Sequence, residues 1–198
     1  MRFCRFVNEQ GNESIGVEAN GSVRALATAE KIVDLRQLMR MPFPDLQRLV
    51  EKTIAVPSVE KVARILPPIG RPEKIICVGL NYRDHAIETG KQPPSEPVIF
   101  AKLPTTVIGH LDPIILPAIS TRVDFEAEFV VVIGKSCCHV EESEALDHVF
   151  GYACGHDVSS RDWQYEHSGG QWLLGKSFDT FAPFGPYVVH KQAVPHAD

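Results

Sequence analysis

The stretch at residues 123–135, VDFEAEFVVVIGK, limits the folds open to this chain more than any other. Residues 129–133 are an unbroken run of aromatic and β-branched types that stops at Gly134 and Lys135. Such a run reads as a strand buried on both faces. Ahead of it, Asp124, Glu126 and Glu128 fall at alternate positions. Strand side chains alternate between faces, so the three carboxylates are expected on one face. Such a face is either a wet edge or a binding surface for a cation. Burial of the neighbours and repulsion among like charges would raise at least one carboxyl pKa. A bound divalent cation removes both difficulties, and carboxylate oxygens alone suit Mg²⁺, Ca²⁺ or Mn²⁺ rather than Zn²⁺.

The remaining 185 residues of the 198 surround this strand with mixed elements. Asn20 and Gly21 sit between IGVEA and SVRAL, a two-residue hairpin turn that needs positive φ at both positions. Residues 30–53 show apolar spacing of three and four and predict helix, with Asp34 and the Pro44–Asp45 pair as start signals. LPPIGRPEK, residues 66–74, holds three prolines and a glycine and predicts a boundary. It separates a small α+β N-terminal domain, 1–66, from a catalytic domain, 72–198. In the latter, KIICVGL and VIFAK read as strands, NYRDHAIE as a helical turn, TVIGHLDPIILPA as strand-rich, and ESEALDHVFGYA as a helix.

The formal net charge is −5, with no basic block, which excludes a nucleic-acid binder. No apolar run approaches the roughly 20 residues of a membrane helix. The first residues lack an apolar signal core, so the expectation is a soluble intracellular protein, cytoplasmic rather than mitochondrial. Five cysteines without zinc spacing predict free thiols.

Several residues carry chemistry. Asp157, in GHDVSSRDWQ, follows an apolar segment where a strand gives way to a loop, and Asp162 competes with it as a third carboxylate ligand. His85 and Glu88 in HAIE are three apart, hence adjacent on a helix. They form either a surface pair or a general base whose tautomer is set by the carboxylate. GQWLLGKS, residues 170–177, matches the phosphate-loop pattern, but no strand precedes it and Pro183 and Pro186 deny it a following helix. Lys176 is then a cation available to the carboxylates.

Together, GLNYRDHAIE, VDFEAEFVVVIGK, HDVSSRDWQ and WLLGKSFDTFAPFGP resemble the fumarylacetoacetate hydrolase superfamily over about residues 70–190. The resemblance implies a mixed β-roll or sandwich with some α, usually a homodimer. It implies one Mg²⁺ or Ca²⁺ on Glu126, Glu128 and Asp157, with Asp124 behind them. It implies His85 and Glu88 as catalytic residues on a lid, and Arg161, Gln164 and Lys176 lining the substrate site. The implied substrates are 2-oxo acids and β-dicarbonyl acids, such as acylpyruvates or oxaloacetate, in C–C hydrolysis, decarboxylation or tautomerisation. Full-length members continue past residue 198 with strands that close the roll. The expectation is therefore a C-terminally truncated chain with open sheet edges and exposed apolar faces. The alternative is a catalytically silent isoform that binds metal weakly or pairs with a full-length partner.

Overall fold

The computed structural model describes residues 1–26, 28, 32–56, 60–88, 90, 92 and 94–194, without the side chains of His85, Ala86 and Glu88. The N-terminal elements are β1 (Arg2–Asn8), β2 (Glu13–Ala19), β3 (Ser22–Ala25), α1 (Leu35–Met39), α2 (Phe43–Ala55) and β4 (Val62–Leu66). There follow β5 (Ile75–Gly79), α3 (Arg83–Glu88), β6 (Val98–Lys102), β7 (Val107–Ile108), β8 (Val123–Asp124) and β9 (Ala127–Ile133). The last are β10 (Val149–His156), β11 (Ser159–Ser160), α4 (Arg161–Tyr165), α5 (Leu173–Lys176), β12 (Ala182–Pro183) and β13 (Val188–His190). Strands dominate and the helices are short, as expected for a mixed β fold.

The hairpin forms where its turn residues stand: Asn20 and Gly21 have φ of 53° and 76°, and β2 pairs antiparallel with β3. Asp34 caps α1 by accepting from Arg36 N, and Gln37 completes a capping box. Pro44 falls in the first turn of α2, where a missing N–H costs nothing. Leu35 and Leu38 of α1, with Leu46 and Val50 of α2, pack on Phe3, Ile15 and Val17.

One seven-stranded sheet organises the molecule, in the order β3-β2-β1-β13-β10-β9, with β4 also pairing β1. Its core joins Phe3, Ile15 and Val17 to Val132, Phe150, Ala153 and Val188. The expected units 1–66 and 72–198 thus divide the chain at its proline-rich segment, while the sheet and the core run across the division. Outside this sheet, β5 pairs β6, β7 pairs β12 in parallel and β8 pairs β11.

Three expectations need correction. VDFEAEFVVVI is not one strand: it breaks at Phe125 and Glu126, with β8 and β9 in different sheets. Residues 142–153 are not one helix. Glu142–His148 is a 3₁₀ segment and Val149 begins β10, whose first five residues are buried. Burial on both faces with Val, Phe and Tyr favours extended chain over helix. In TVIGHLDPIILPA only Val107–Ile108 forms a strand, because Pro113 and Pro117 cannot donate to a ladder.

Gly151 lies where β10 meets β13. A Cβ there would stand 2.2 Å from Val189 O, and neither backbone has room to retreat. Gly151→Ala is expected to cost about 1–3 kcal/mol of stability by overpacking. Urea unfolding checks this; an unchanged midpoint would contradict so close a packing of the two strands.

Candidate active site

The site occupies a break that two neighbouring ladders share. β9 pairs β10 down to Ala127↔His156, and β8 pairs β11 from Ser159↔Asp124. Between them, Asp157 N donates to Glu126 O at 2.9 Å. The pairing thus changes sheets at one level on both chains, and carboxylates of Glu126, Glu128 and Asp157 converge there. Each offers an oxygen within 4.8 Å of the others.

Three cationic side chains are built into this cluster. Lys176, a buried residue at the end of α5, donates from Nζ to Glu126 Oε2 and Asp157 Oδ2, both at 2.7 Å. Lys102 Nζ donates to Asp157 Oδ1 at 2.7 Å, to Val158 O at 3.1 Å and to Lys176 O. Arg161 bonds Asp124 Oδ2 at 2.8 Å, pairs with Glu126 Oε1 at 2.6 Å and donates to Gln164 Oε1 at 2.9 Å. The Lys102–Asp157 pair is nearly dry, with side-chain exposures of 3% and 6%.

Burial pushes the Asp157 carboxyl up, but the ammonium groups of Lys102 and Lys176 outweigh it and hold the carboxyl below its usual range. Burial lowers the Lys102 pKa, against the opposing pull of Asp157. Burial raises Glu128, partly offset by the Tyr82 hydroxyl beside it. Burial also pushes the nearby Cys77 thiol up to about 12, which leaves it protonated and a poor nucleophile at neutral pH.

Of the residues singled out by sequence, Glu126, Glu128, Asp157, Arg161, Gln164 and Lys176 meet at one place. Asp124 stands behind them as the partner of Arg161. His85 and Glu88 belong to α3, but their side chains lie outside the described residues. Asp162 is not in the cluster. Its carboxylate accepts from Ser160 Oγ, Ser120 Oγ, Thr121 N and Trp163 N. The Ser160 hydroxyl above all holds it far below the usual carboxylate range. The glycine of the phosphate-loop look-alike has a packing role, since a Cβ on Gly175 would stand 2.5 Å from Gln164 N. All five cysteines are free.

Lys102 is the site residue that sequence reasoning missed. Its signal was present: in VIFAK the inward positions of β6 are Val98, Phe100 and Lys102. A lysine that continues an apolar face of a strand needs a buried acid.

The donor set fits a hard divalent cation. Oxygens that share one Mg²⁺ or Ca²⁺ at about 2.0–2.6 Å stand no more than about 4–5 Å apart, and the three carboxylates already have that spacing. When ionised, the four acids exceed Lys102, Arg161 and Lys176 by one negative charge. A dication would turn that excess into one positive charge, which favours an anionic ligand.

Fold and site together define a strand-rich protein with an acidic, lysine-braced cluster of the kind that holds a hard cation. The pattern of the fumarylacetoacetate hydrolase C-terminal family matches residues 74–198, and the chain belongs to that family. It is 52% identical over 134 residues to the mitochondrial oxaloacetate tautomerase of Xenopus laevis, covering 67% of this chain and 42% of that protein. It is 42% identical to a fumarylacetoacetate hydrolase domain-containing protein 2 homolog of Dictyostelium discoideum, over 96% of this chain and 64% of the relative. Among solved structures, a fumarylacetoacetate hydrolase from Exiguobacterium antarcticum superposes with a TM-score of 0.78 at 33% identity, over the whole chain and 69% of its own. The chain thus spans roughly two fifths to two thirds of the curated relatives it matches.

Removing Lys102 would leave Asp157 without one of its two buried partners. Lys102→Met is expected to destabilise the fold by about 3–5 kcal/mol, the usual cost of breaking a buried pair on one side. Denaturant unfolding reads this, and a loss below about 1 kcal/mol would show that the pair is solvated. A pH dependence accompanies it. The folded Asp157 carboxyl titrates below its unfolded counterpart. Its contribution is therefore complete above about pH 4 and is lost as the pH falls through the lower folded value. Metal-free protein should lose stability on acidification over that range, and Asp157→Asn should flatten the slope.

Proposed function

We propose that this chain forms the metal-dependent site of an enzyme acting on 2-oxo acids, with keto–enol tautomerisation of oxaloacetate as the reaction. The observation that carries this reading is the convergence of Glu126, Glu128 and Asp157 at cation spacing, braced by buried lysines. The name of the Xenopus relative, an oxaloacetate tautomerase, supports the choice of substrate. Hydrolysis of a related β-dicarbonyl acid would instead have His85 take its proton from water, and decarboxylation would break a C–C bond without taking a proton from carbon.

In this reading Glu126, Glu128 and Asp157 hold Mg²⁺ or Ca²⁺, with Mn²⁺ as a third candidate. The ion, when bound, supplies Lewis acidity toward a 2-oxo carboxylate. Lys176 and Lys102 hold the carboxylates together and keep Asp157 ionised. Arg161, fastened by Asp124 and Gln164, orients Glu126, and Arg161, Gln164 and Lys176 border the substrate. His85, oriented by Glu88, takes the proton from the carbon beside the ketone and returns it to oxygen. No atoms are gained or lost, as a tautomerisation requires.

Residues 72–198 carry this chemistry, and 1–66 act as a small supporting domain. The exposed Ile76, Val78 and Ile99 on the β5–β6 hairpin are the surface we assign to a homodimer contact. No described helix is long and apolar enough to cross a membrane. The Xenopus and human oxaloacetate tautomerases that this chain resembles are mitochondrial by name and give the cytoplasmic expectation no support.

Calorimetric titration of Mg²⁺, with oxalate present, should show saturable binding that Glu126→Ala/Glu128→Ala abolishes. The wild-type chain should accelerate keto–enol interconversion of oxaloacetate, followed by ultraviolet absorbance. His85→Ala should remove the acceleration and leave Mg²⁺ affinity nearly unchanged. A folded chain that binds Mg²⁺ without accelerating the reaction would reject the activity and favour a silent binding protein.

A further inference from the structure

Strand β5 and helix α3 are joined by three residues, Leu80, Asn81 and Tyr82, and these turn sharply. Gly79, the last residue of β5, lies against Trp172, where a Cβ would stand 2.5 Å from Cζ3. Trp172 is itself held edge-on to Phe100, with ring centroids 5.4 Å apart. Leu80 follows with φ of 55°, a left-handed conformation disfavoured for residues with a Cβ and kept only where the surroundings impose it. The chain is thus pinned before the turn, and something must pin it after.

Tyr82 does so. Its phenolic oxygen accepts from Phe129 N at 3.1 Å. Phe129 is on β9, the last strand on the path of the main sheet, and it directly follows Glu128. The hydroxyl also neighbours the Glu128 carboxylate and partly offsets the larger effect of burial on it. A phenol has one hydrogen to donate and two lone pairs to accept with, so a single hydroxyl serves both partners. Past Tyr82 the described side chains give no further hold. The described side chains of α3 are Arg83, Asp84 and Ile87; all are exposed, Ile87 at 71%. None of the three carries a hydrogen bond or ion pair. Among the described residues, Tyr82 is the side chain that ties this helix to the site.

The geometry points to Tyr82 as a positioning residue, fastening α3, and with it His85 and Glu88, to strand β9 beside Glu128. This rests on the proposed role of His85 as the base. The Tyr82 hydroxyl sets how α3 is anchored to β9 beside Glu128 and adds no ligand of its own. The hydroxyl is separable from the ring, so Tyr82→Phe removes the tie and keeps the apolar contacts. At a residue 41% exposed, the change leaves the core intact.

The test compares wild type with Tyr82→Phe in three measurements on the whole chain. Hydrogen–deuterium exchange, with Mg²⁺ and oxalate present, should quicken over residues 82–88 and stay unchanged over residues 127–133. For oxaloacetate tautomerisation, kcat should fall about 10- to 100-fold, the scale of a misplaced catalytic group, while KM moves little. Mg²⁺ affinity by calorimetry should fall much less than kcat, since the three carboxylates stay in place and only the phenol beside Glu128 is lost. Unchanged exchange over residues 82–88 would overturn the proposal. So would a loss of Mg²⁺ affinity matching the loss of kcat, which would place the hydroxyl's role on Glu128 alone. If the wild-type chain is catalytically silent, the proposed function fails on its own account, and the exchange measurement still decides whether Tyr82 holds α3.

Discussion

The buried contact between Asp157 and two lysines is what the rest of this structure is arranged around. Ionised groups leave water at a cost of several kcal/mol each unless every one is met by opposite charge and by hydrogen bonds. Asp157 is met by Lys102 from β6 and by Lys176 from α5, and Lys102 is further satisfied by the carbonyls of Val158 and Lys176. The hairpin, the helix and the junction of β10 and β11 are therefore tied at one point. β5, β6 and α5 supply no buried residue to the main apolar core, so the charge cluster does for them what Phe3, Leu35 and Phe150 do for the main sheet.

That tie also explains why the cluster suits a cation. Lysines brace Asp157 and Glu126 directly, while Glu128 has the Tyr82 hydroxyl beside it and burial raises its pKa. The acids outnumber the cationic groups by one. A charge imbalance inside a protein is a standing preference for a ligand of opposite sign. The fold maintains this imbalance at the shared break in two ladders, where Glu126 and Glu128, on one face by strand alternation, meet Asp157 from the neighbouring chain.

Much of this was legible in the residues. The acidic alternation of residues 124–128, the aspartate in GHDVSS and the lysine in LLGKS all reach the site, although the run expected to be buried on both faces leaves Phe129, Val131 and Ile133 half exposed. The hairpin at Asn20 and Gly21, the cap at Asp34 and the first-turn Pro44 were readable for a local reason: turn and helix-start chemistry depends on φ and on the nearest few backbone groups. The misread segments are those decided by distant partners. Val149 onward has enough apolar spacing to pass for helix, but its burial between β9 and β13 makes it strand.

By itself the sequence determined the chemical inventory: oxygen donors for a hard cation, cations to balance them, a histidine–glutamate pair, and a strand-rich chain to carry them. Local chemistry is enough for that, since residue type and spacing are properties of the chain. Only the tertiary structure decided which aspartate joins the cluster. Asp157 and Asp162 are five positions apart, yet one meets two buried ammonium groups and the other is consumed by hydroxyls and backbone amides. It also decided that Lys102 belongs to the site and that Tyr82 meets Phe129. Those contacts join residues 55 and 47 positions apart, and pairing over such distances depends on how sheets close in space, which no local pattern encodes.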